Sequence, residues 1–279
     1  MHNQTSLKIL NWNSRSIRHK TTEFFEFLHQ HEVDIAVVTE TWLSHRISVY
    51  NDQYACVRVD RNSEDAERGG GVAIFVRKGL KFNQMELQTS VIETAGITVE
   101  TDSARICIIA AYFPGSSNTR TLNQFKRDVR RLVRFDDPFF VIGDLNARHR
   151  SWNCSKMNKA GRLLFSECEN RNVYVHHPEK FTRVPQGRGR PSTLDLVLSN
   201  NRIGMTVPEV FDELSSDHLP VVFTIDTNSS FHFEVLQYRN YRHADWHNFS
   251  SVVHGSLDIN SPVINNLNTK EQIDKAVAV

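Results

Sequence analysis

Short apolar runs that break abruptly into polar clusters are what most restrict the fold of this chain. Phe139-Phe140-Val141-Ile142 leads into Gly143-Asp144-Leu145-Asn146, and Val221-Val222-Phe223 follows Ser216-Asp217-His218-Leu219-Pro220. A third run, Ile35-Ala36-Val37-Val38, ends in Thr39-Glu40. Apolar runs of this length, rich in β-branched and aromatic residues, read as strands buried on both faces. Polar residues where such strands surface are how a rigid sheet presents functional groups to solvent.

The rest of the chain fits a layered arrangement. Leu7, Ile9 and Asn11 alternate with Lys8, Leu10 and Trp12, as in a doubly buried strand. A helix follows over 21–31, with Phe24, Phe25 and Leu28 at helical spacing, and then a strand over 33–39. The order strand, helix, strand points to an α/β or α+β domain. Gly69-Gly70-Gly71 precedes Val72-Ala73-Ile74-Phe75-Val76. No Lys-Ser/Thr follows, and the next element is a strand, so these glycines read as a turn into a hairpin and not as a phosphate loop. Strands are expected over 92–101 and 105–112 around the turn Thr101-Asp102-Ser103-Ala104.

The clearest helix covers 118–135. Leu122, Phe125, Val129, Leu132 and Val133 form one stripe, opposite Lys126, Arg127, Arg130, Arg131 and Arg134, a basic face expected to be solvated. A shorter helix is expected over 161–171, and strands over 173–175, 193–198 and 221–225. The Gly- and Arg-rich stretch 182–192 reads as a loop or hairpin. The polar break Thr227-Asn228-Ser229-Ser230 places a domain boundary, giving one domain over 1–226 and a linker-type segment over 227–279.

The net charge is +1, so any nucleic-acid binding must come from local clusters and not from bulk charge. Four cysteines without a CxxC pair fit a reducing compartment. No apolar run reaches the length of a membrane span, and no signal peptide is evident, so a soluble cytosolic or nuclear protein is expected. Asn13, Glu40, Tyr112, Asp144, Asn146, Asp195, Asp217 and His218 are the candidate site residues. Hard oxygen donors with one imidazole suit phosphodiester chemistry on a hard divalent metal. Asp195 between Leu194 and Leu196 would be a costly buried charge without a partner, which favours a charged histidine or another polar partner nearby. Trp152, near the Asp144 loop, reads equally as a base-stacking ring or as packing.

At these positions the chain resembles the endonuclease/exonuclease/phosphatase superfamily, which includes AP endonucleases and DNase I. The match runs in order through Asn11-Trp12-Asn13, Thr39-Glu40-Thr41-Trp42-Leu43, Tyr112-Phe113-Pro114, Gly143-Asp144-Leu145-Asn146, Thr193-Leu194-Asp195 and Ser216-Asp217-His218-Leu219-Pro220. Within the superfamily it looks most like the endonuclease domain of a non-LTR (LINE-type, jockey- or R1-like) retrotransposon. Glu40-Thr41-Trp42-Leu43, Ser192-Thr193-Leu194-Asp195-Leu196 and Asn240-Tyr241-Arg242-His243-Ala244-Asp245-Trp246 carry that likeness. It implies a DNase I-like four-layer sandwich, with two packed mixed sheets flanked by helices. It also implies nicking of double-stranded target DNA in the nucleus, leaving a 3′-OH that primes a reverse transcriptase fused in the parent polyprotein. Arg15 stands where some repair AP endonucleases carry an Asp, which argues against a second metal ligand there and against abasic-site repair.

Under this reading Glu40 and Asp217 hold Mg²⁺ (or Mn²⁺), with Asp144 sharing the ion through water. Asp144 and Asn146 position the attacking water. Asp195 fixes His218, which acts either as a base or, charged, as a phosphate stabiliser. Tyr112 and Asn13 donate to phosphate oxygens. The resemblance also implies a minor-groove hairpin and a DNA-contacting Thr182. Arg183, Arg188 and Arg190, with Arg148 and Arg150, supply the basic surface. Two alternatives stay open: a phosphatase or phosphodiesterase of the same fold acting on inositol phosphates or phospholipids, and a non-catalytic nucleic-acid-binding module.

Overall fold

The computed structural model describes residues 6–61, 69–185, 187, 189–200 and 202–227. In chain order the elements are β1 (Ser6–Asn13), α1 (Thr21–Gln30), β2 (Ile35–Thr39), β3 (Tyr54–Val59), β4 (Val72–Arg77), β5 (Phe82–Met85), β6 (Glu93–Glu100), β7 (Arg105–Tyr112), α2 (Thr119–Leu132), β8 (Phe139–Asp144), α3 (Lys159–Glu169), β9 (Tyr174–His176), β10 (Asp195–Ser199), β11 (Glu209–Val210) and β12 (Val221–Asp226). They form two six-stranded mixed sheets, ordered β11-β12-β1-β2-β4-β3 and β5-β6-β7-β8-β10-β9.

The apolar runs explain the layering. A strand in the middle of a sandwich presents one face to the facing sheet and the other to a helix, so both must be apolar. Ile9, Val37 and Ile74 of the first sheet meet Ile97, Ile108, Ile142 and Val197 of the second in a common core. On the outer side of the first sheet, Trp12, Ala36 and Phe75 pack under Phe24 and Leu28 of α1. On the outer side of the second, Ile109, Val141 and Leu196 pack under Phe125 and Val129 of α2 and Leu164 of α3. The result is the expected sandwich: helix, sheet, sheet, helices. Removing Phe125, which is fully buried, should cost about 3–5 kcal/mol.

Helix α2 starts where Asn118 caps it: its side-chain oxygen accepts from the amides of Arg120 (2.8 Å) and Thr121 (3.2 Å). Buried Asp128 interrupts its apolar stripe, and Oδ2 accepts from the backbone amides of Ser90, Val91 and Ile92 at 2.8, 2.8 and 3.2 Å. The basic face is not wholly solvated. Arg130 forks onto Glu167 of α3 at 2.6 and 3.0 Å, and Lys126 reaches the same carboxylate at 3.3 Å.

Register matters most for function. Asn13, at the end of β1, pairs with Thr39 of parallel β2, which places Glu40 one residue beyond it. Asp144, at the end of β8, pairs directly with Asp195 at the start of antiparallel β10. Strand β12 returns beside β1, so the Ser216–Pro220 turn before it opens at the Asn13 end. The segment over 227–279 lies, apart from Thr227, outside the described residues.

Candidate active site

Asn13 is the hub of the site. Its buried Nδ2 donates to Glu40 Oε1 (2.9 Å) and to Asp144 Oδ2 (2.9 Å), tying the tip of the first sheet to the tip of the second. Ser216 Oγ donates to the Asn13 carbonyl (2.8 Å) and accepts from the His218 amide (3.2 Å). Trp12 Nε1 donates to the His218 carbonyl (3.1 Å). These bonds place the Ser216–His218 turn against the end of β1.

Glu40 sits in a left-handed backbone conformation (φ +50°), as does Trp42 (φ +53°). Such backbone is unfavourable for these residue types and persists only where neighbours over-determine it. They do so here. Ser16 and Ile17 amides donate to the carbonyls of Glu40 and Thr41 (2.8 and 3.1 Å), while Thr41 and Trp42 amides donate to Gly71 and Gly70 (3.1 and 2.9 Å). The glycine turn seen in the sequence therefore braces the Glu40 segment. A side chain at Gly71 (φ +82°) would come within 2.5 Å of Thr41 Oγ1. Glu40 Oε2 accepts from Trp42 Nε1 (3.3 Å). The buried Tyr112 hydroxyl also bonds Glu40, and burial, then the charges of Glu40 and Asp144, push its ionisation well above the usual tyrosine range.

On the second sheet His218 Nδ1 bonds Asp195 Oδ2 at 2.8 Å, and Nε2 lies 3.8 Å from Asp144 Oδ2. Burial alone would lower the imidazole, but Asp195 and then Asp144 and Asp217 outweigh it and raise His218 to about 9. Burial raises Asp144 to about 7, against the pull of His218 and the hydrogen bonds from Asn146 and Asn13. The Asn146 amide donates to Asp144 Oδ1 (2.8 Å), and Asn146 Nδ2 donates to the Phe113 carbonyl (2.9 Å). Asp195 Oδ1 is buried with no hydrogen-bond partner among the described residues. Asp144, Asp195 and His218 hold potential ligand atoms within 4.8 Å of one another, all buried. Since Asp195 Oδ2 and His218 Nδ1 are bonded to each other, a cation is better served from the Glu40 side. Glu40 is partly open to solvent, and its carboxylate is bridged to Asp144 through one neutral amide. That oxygen donor set fits a hard divalent ion that keeps most of its waters.

The structure thus gathers Asn13, Glu40, Tyr112, Asp144, Asn146, Asp195 and His218. Asp217 is buried beside two guanidiniums: Oδ1 lies 3.3 Å from Arg15 Nη1 and Oδ2 3.3 Å from Arg183 Nη2, while Oδ1 accepts no hydrogen bond among the described residues. One expectation needs correction. Thr182 does not reach the surface: it is fully buried, and its hydroxyl accepts from the amides of Leu194 (3.0 Å) and Asp195 (3.3 Å). Arg148, Arg183 and Arg190 do share a surface, a cleft of about 660 Å³ that Lys156 and Ser192 also line. Arg150 is exposed on the short 3₁₀ turn Arg150–Trp152 and does not line it, and Arg188 lies outside the described residues. Trp152 is packing: it is buried and its indole donates to the Ala147 carbonyl (2.9 Å). Sequence reasoning missed Trp42, Ser216 and Arg61. The first two were within quoted motifs, whereas Arg61, stacked 5.9 Å over the Tyr112 ring, follows an unremarked strand.

Comparison with known proteins agrees with this geometry. The family model described as "Endonuclease/Exonuclease/phosphatase family" matches residues 10–218, and the chain belongs to that family. Among curated relatives, the probable RNA-directed DNA polymerase from transposon BS of Drosophila melanogaster is 30% identical over 97% of this chain. That of transposon X-element, from the same fly, is 27% identical over 97%. The chain spans 29% of the length of each. Among solved structures, the endonuclease domain of TRAS1, a telomere-specific non-LTR retrotransposon, superposes with a TM-score of 0.63 at 18% identity, over 80% of this chain and all (100%) of that one. The Xenopus laevis APE2 catalytic domain gives 0.62 at 16% identity, over 80% and 95%. These likenesses confirm the DNase I-like fold.

Proposed function

We propose that this domain nicks one strand of double-stranded DNA with the help of Mg²⁺, leaving a 3′-OH that primes reverse transcription. The reading rests above all on the His218–Asp195 pair facing Asp144, which Asn13 joins to Glu40. Glu40 would hold the cation, with Mn²⁺ as a substitute. When bound, that ion neutralises charge developing on the phosphate and leaving oxygen. Asp144, oriented by the Asn146 amide and poised near neutrality, orients the attacking water and accepts its proton. His218, with Nδ1–H given to Asp195, presents a positive Nε2–H to the phosphate oxygens in the transition state. Of the two roles open to His218, charge stabilisation is favoured by the acidic groups around it. Tyr112 keeps its proton and can turn its hydroxyl from Glu40 to a phosphate oxygen, alongside Asn13.

We further propose a domain over 1–226 joined through 227–279 to a reverse transcriptase and acting in the nucleus on genomic DNA; the RNA-directed DNA polymerases among the relatives support the fusion. Supercoiled plasmid incubated with the protein and Mg²⁺ should relax to open circle, and a DNA polymerase should extend the nicks without prior phosphatase treatment. Release of phosphate from inositol phosphates with intact plasmid would overturn the proposal.

A further inference from the structure

The arginines on Asp217 are built into the site's own framework. Arg15 follows Asn13 by two residues on a left-handed turn (φ +44° at Arg15, +79° at Ser16). That turn is fixed by the Arg15 amide donating to Asn13 Oδ1 (3.1 Å) and the Ser16 amide donating to the Glu40 carbonyl (2.8 Å). Arg183 sits on a segment stitched on both sides. Its backbone exchanges hydrogen bonds with Ser192 (2.9 and 3.1 Å), the Val184 amide donates to the Asp217 carbonyl (2.8 Å), and the Leu219 amide donates to the Thr182 carbonyl (2.7 Å). Asp217 Oδ1 lies 3.3 Å from Arg15 Nη1 and Oδ2 3.3 Å from Arg183 Nη2, and Oδ1 accepts no hydrogen bond among the described residues. A guanidinium has five N–H donors, so both arms keep donors for another anion. The Arg15 side chain is 58% exposed and that of Arg183 30%. Arg183 also lines the cleft shared with Arg148, Lys156 and Arg190. Lys20 adds another cation beside them, its ammonium donating to the Ser14 carbonyl (2.6 Å). Two positive charges beside the Asp217 carboxylate weaken its pull on a divalent ion relative to Glu40.

We propose that Arg15 and Arg183 form a two-armed clamp for backbone phosphates of the DNA beside the scissile bond, and that Asp217 positions both arms without ligating metal. The inference rests on the nicking reading above. Planar guanidiniums suit phosphate, and two held at fixed separation fix the strand's register over His218. Arg15, where a metal-binding carboxylate was the alternative, thereby exchanges a divalent-ion position for a permanent cation.

The test uses the full chain. A fluorescent DNA duplex is titrated in EDTA from 50 to 200 mM salt, since each neutralised phosphate contributes about 0.9 to the log–log salt slope. Arg15→Ala/Arg183→Ala should flatten the slope by about 2 without any metal present. Asp217→Asn should leave half-saturating Mg²⁺ for nicking within about twofold and raise KM for DNA roughly 3- to 10-fold, the cost of ordering released side chains on substrate. An unchanged salt slope in the double variant, or a tenfold or larger rise in half-saturating Mg²⁺ for Asp217→Asn, overturns the clamp while leaving nicking intact. A wild-type chain that binds no duplex even at 50 mM salt overturns both readings. The double variant truncates half-exposed side chains, so its salt slope tests the clamp independently of how Asp217→Asn folds.

Discussion

Replacing Thr182 by Val should unfold the protein more easily without touching its DNA surface. Valine keeps the shape of threonine, so no cavity opens. What disappears is the acceptor for two buried amides, Leu194 at 3.0 Å and Asp195 at 3.3 Å. Each buried amide left without a partner costs about 1–3 kcal/mol, and the longer bond belongs at the low end, giving about 2–4 kcal/mol. In a domain of this size that lowers Tm by roughly 5–15 °C. Thr182→Ser retains the hydroxyl and should lose only about 1 kcal/mol for the missing methyl. Thermal unfolding by circular dichroism reads the stability, and duplex affinity measured well below both transitions reads the surface. A Thr182→Val protein that melts like wild type but binds DNA tenfold more weakly would refute the assignment and restore a DNA-contacting threonine.

Gly161→Ala offers an inverted helix-propensity effect. Alanine normally stabilises a helix by about 1 kcal/mol relative to glycine, yet here its Cβ would lie 2.0 Å from the Arg148 carbonyl oxygen. A net loss of about 1–3 kcal/mol is expected in urea unfolding, and a gain would show that α3 can shift freely from the Arg148 loop. The His218–Asp195 pair also makes stability depend on pH. Because the folded imidazole is raised to about 9 from 6.5, its contribution is full below 6.5 and fades as pH climbs through 9. Up to about 3 kcal/mol is lost across that window in wild type, and Asp195→Asn should shrink the loss. Equal pH 6 and pH 9.5 stabilities in wild type would contradict the ion pair.

The sandwich was legible because its middle strands carry their own signature. Doubly apolar runs such as Ile35–Thr39 and Phe139–Asp144 leave little choice but burial between layers. Helix α2 was read to within a few residues because Asn118 is a cap and the apolar stripe has helical period. Two edge strands were not read: β3 is half-exposed and carries Arg58, and β5 is Phe-Asn-Gln-Met, so neither shows an apolar run. Asn13, Glu40, Asp144, Asp195 and His218 were found from motif order, and pairing of Asp195 with Asp144 across the strands explains why motifs so far apart meet. Thr182 went wrong because residue type and position say that a group is near the site, whereas its burial, known only in three dimensions, says which way it faces.

Everything converges on the rate at which supercoiled plasmid is nicked in Mg²⁺ by wild type, Glu40→Gln and His218→Gln, each first shown to be folded. A shared site at the strand tips requires that either change slow nicking at least about 100-fold, since Glu40→Gln weakens the hold on the cation and His218→Gln removes the positive charge aimed at the reacting phosphate. Raising the metal concentration should recover part of the loss in Glu40→Gln and none in His218→Gln. Nicking within fivefold of wild type by either variant would mean that the chemistry happens elsewhere on the molecule.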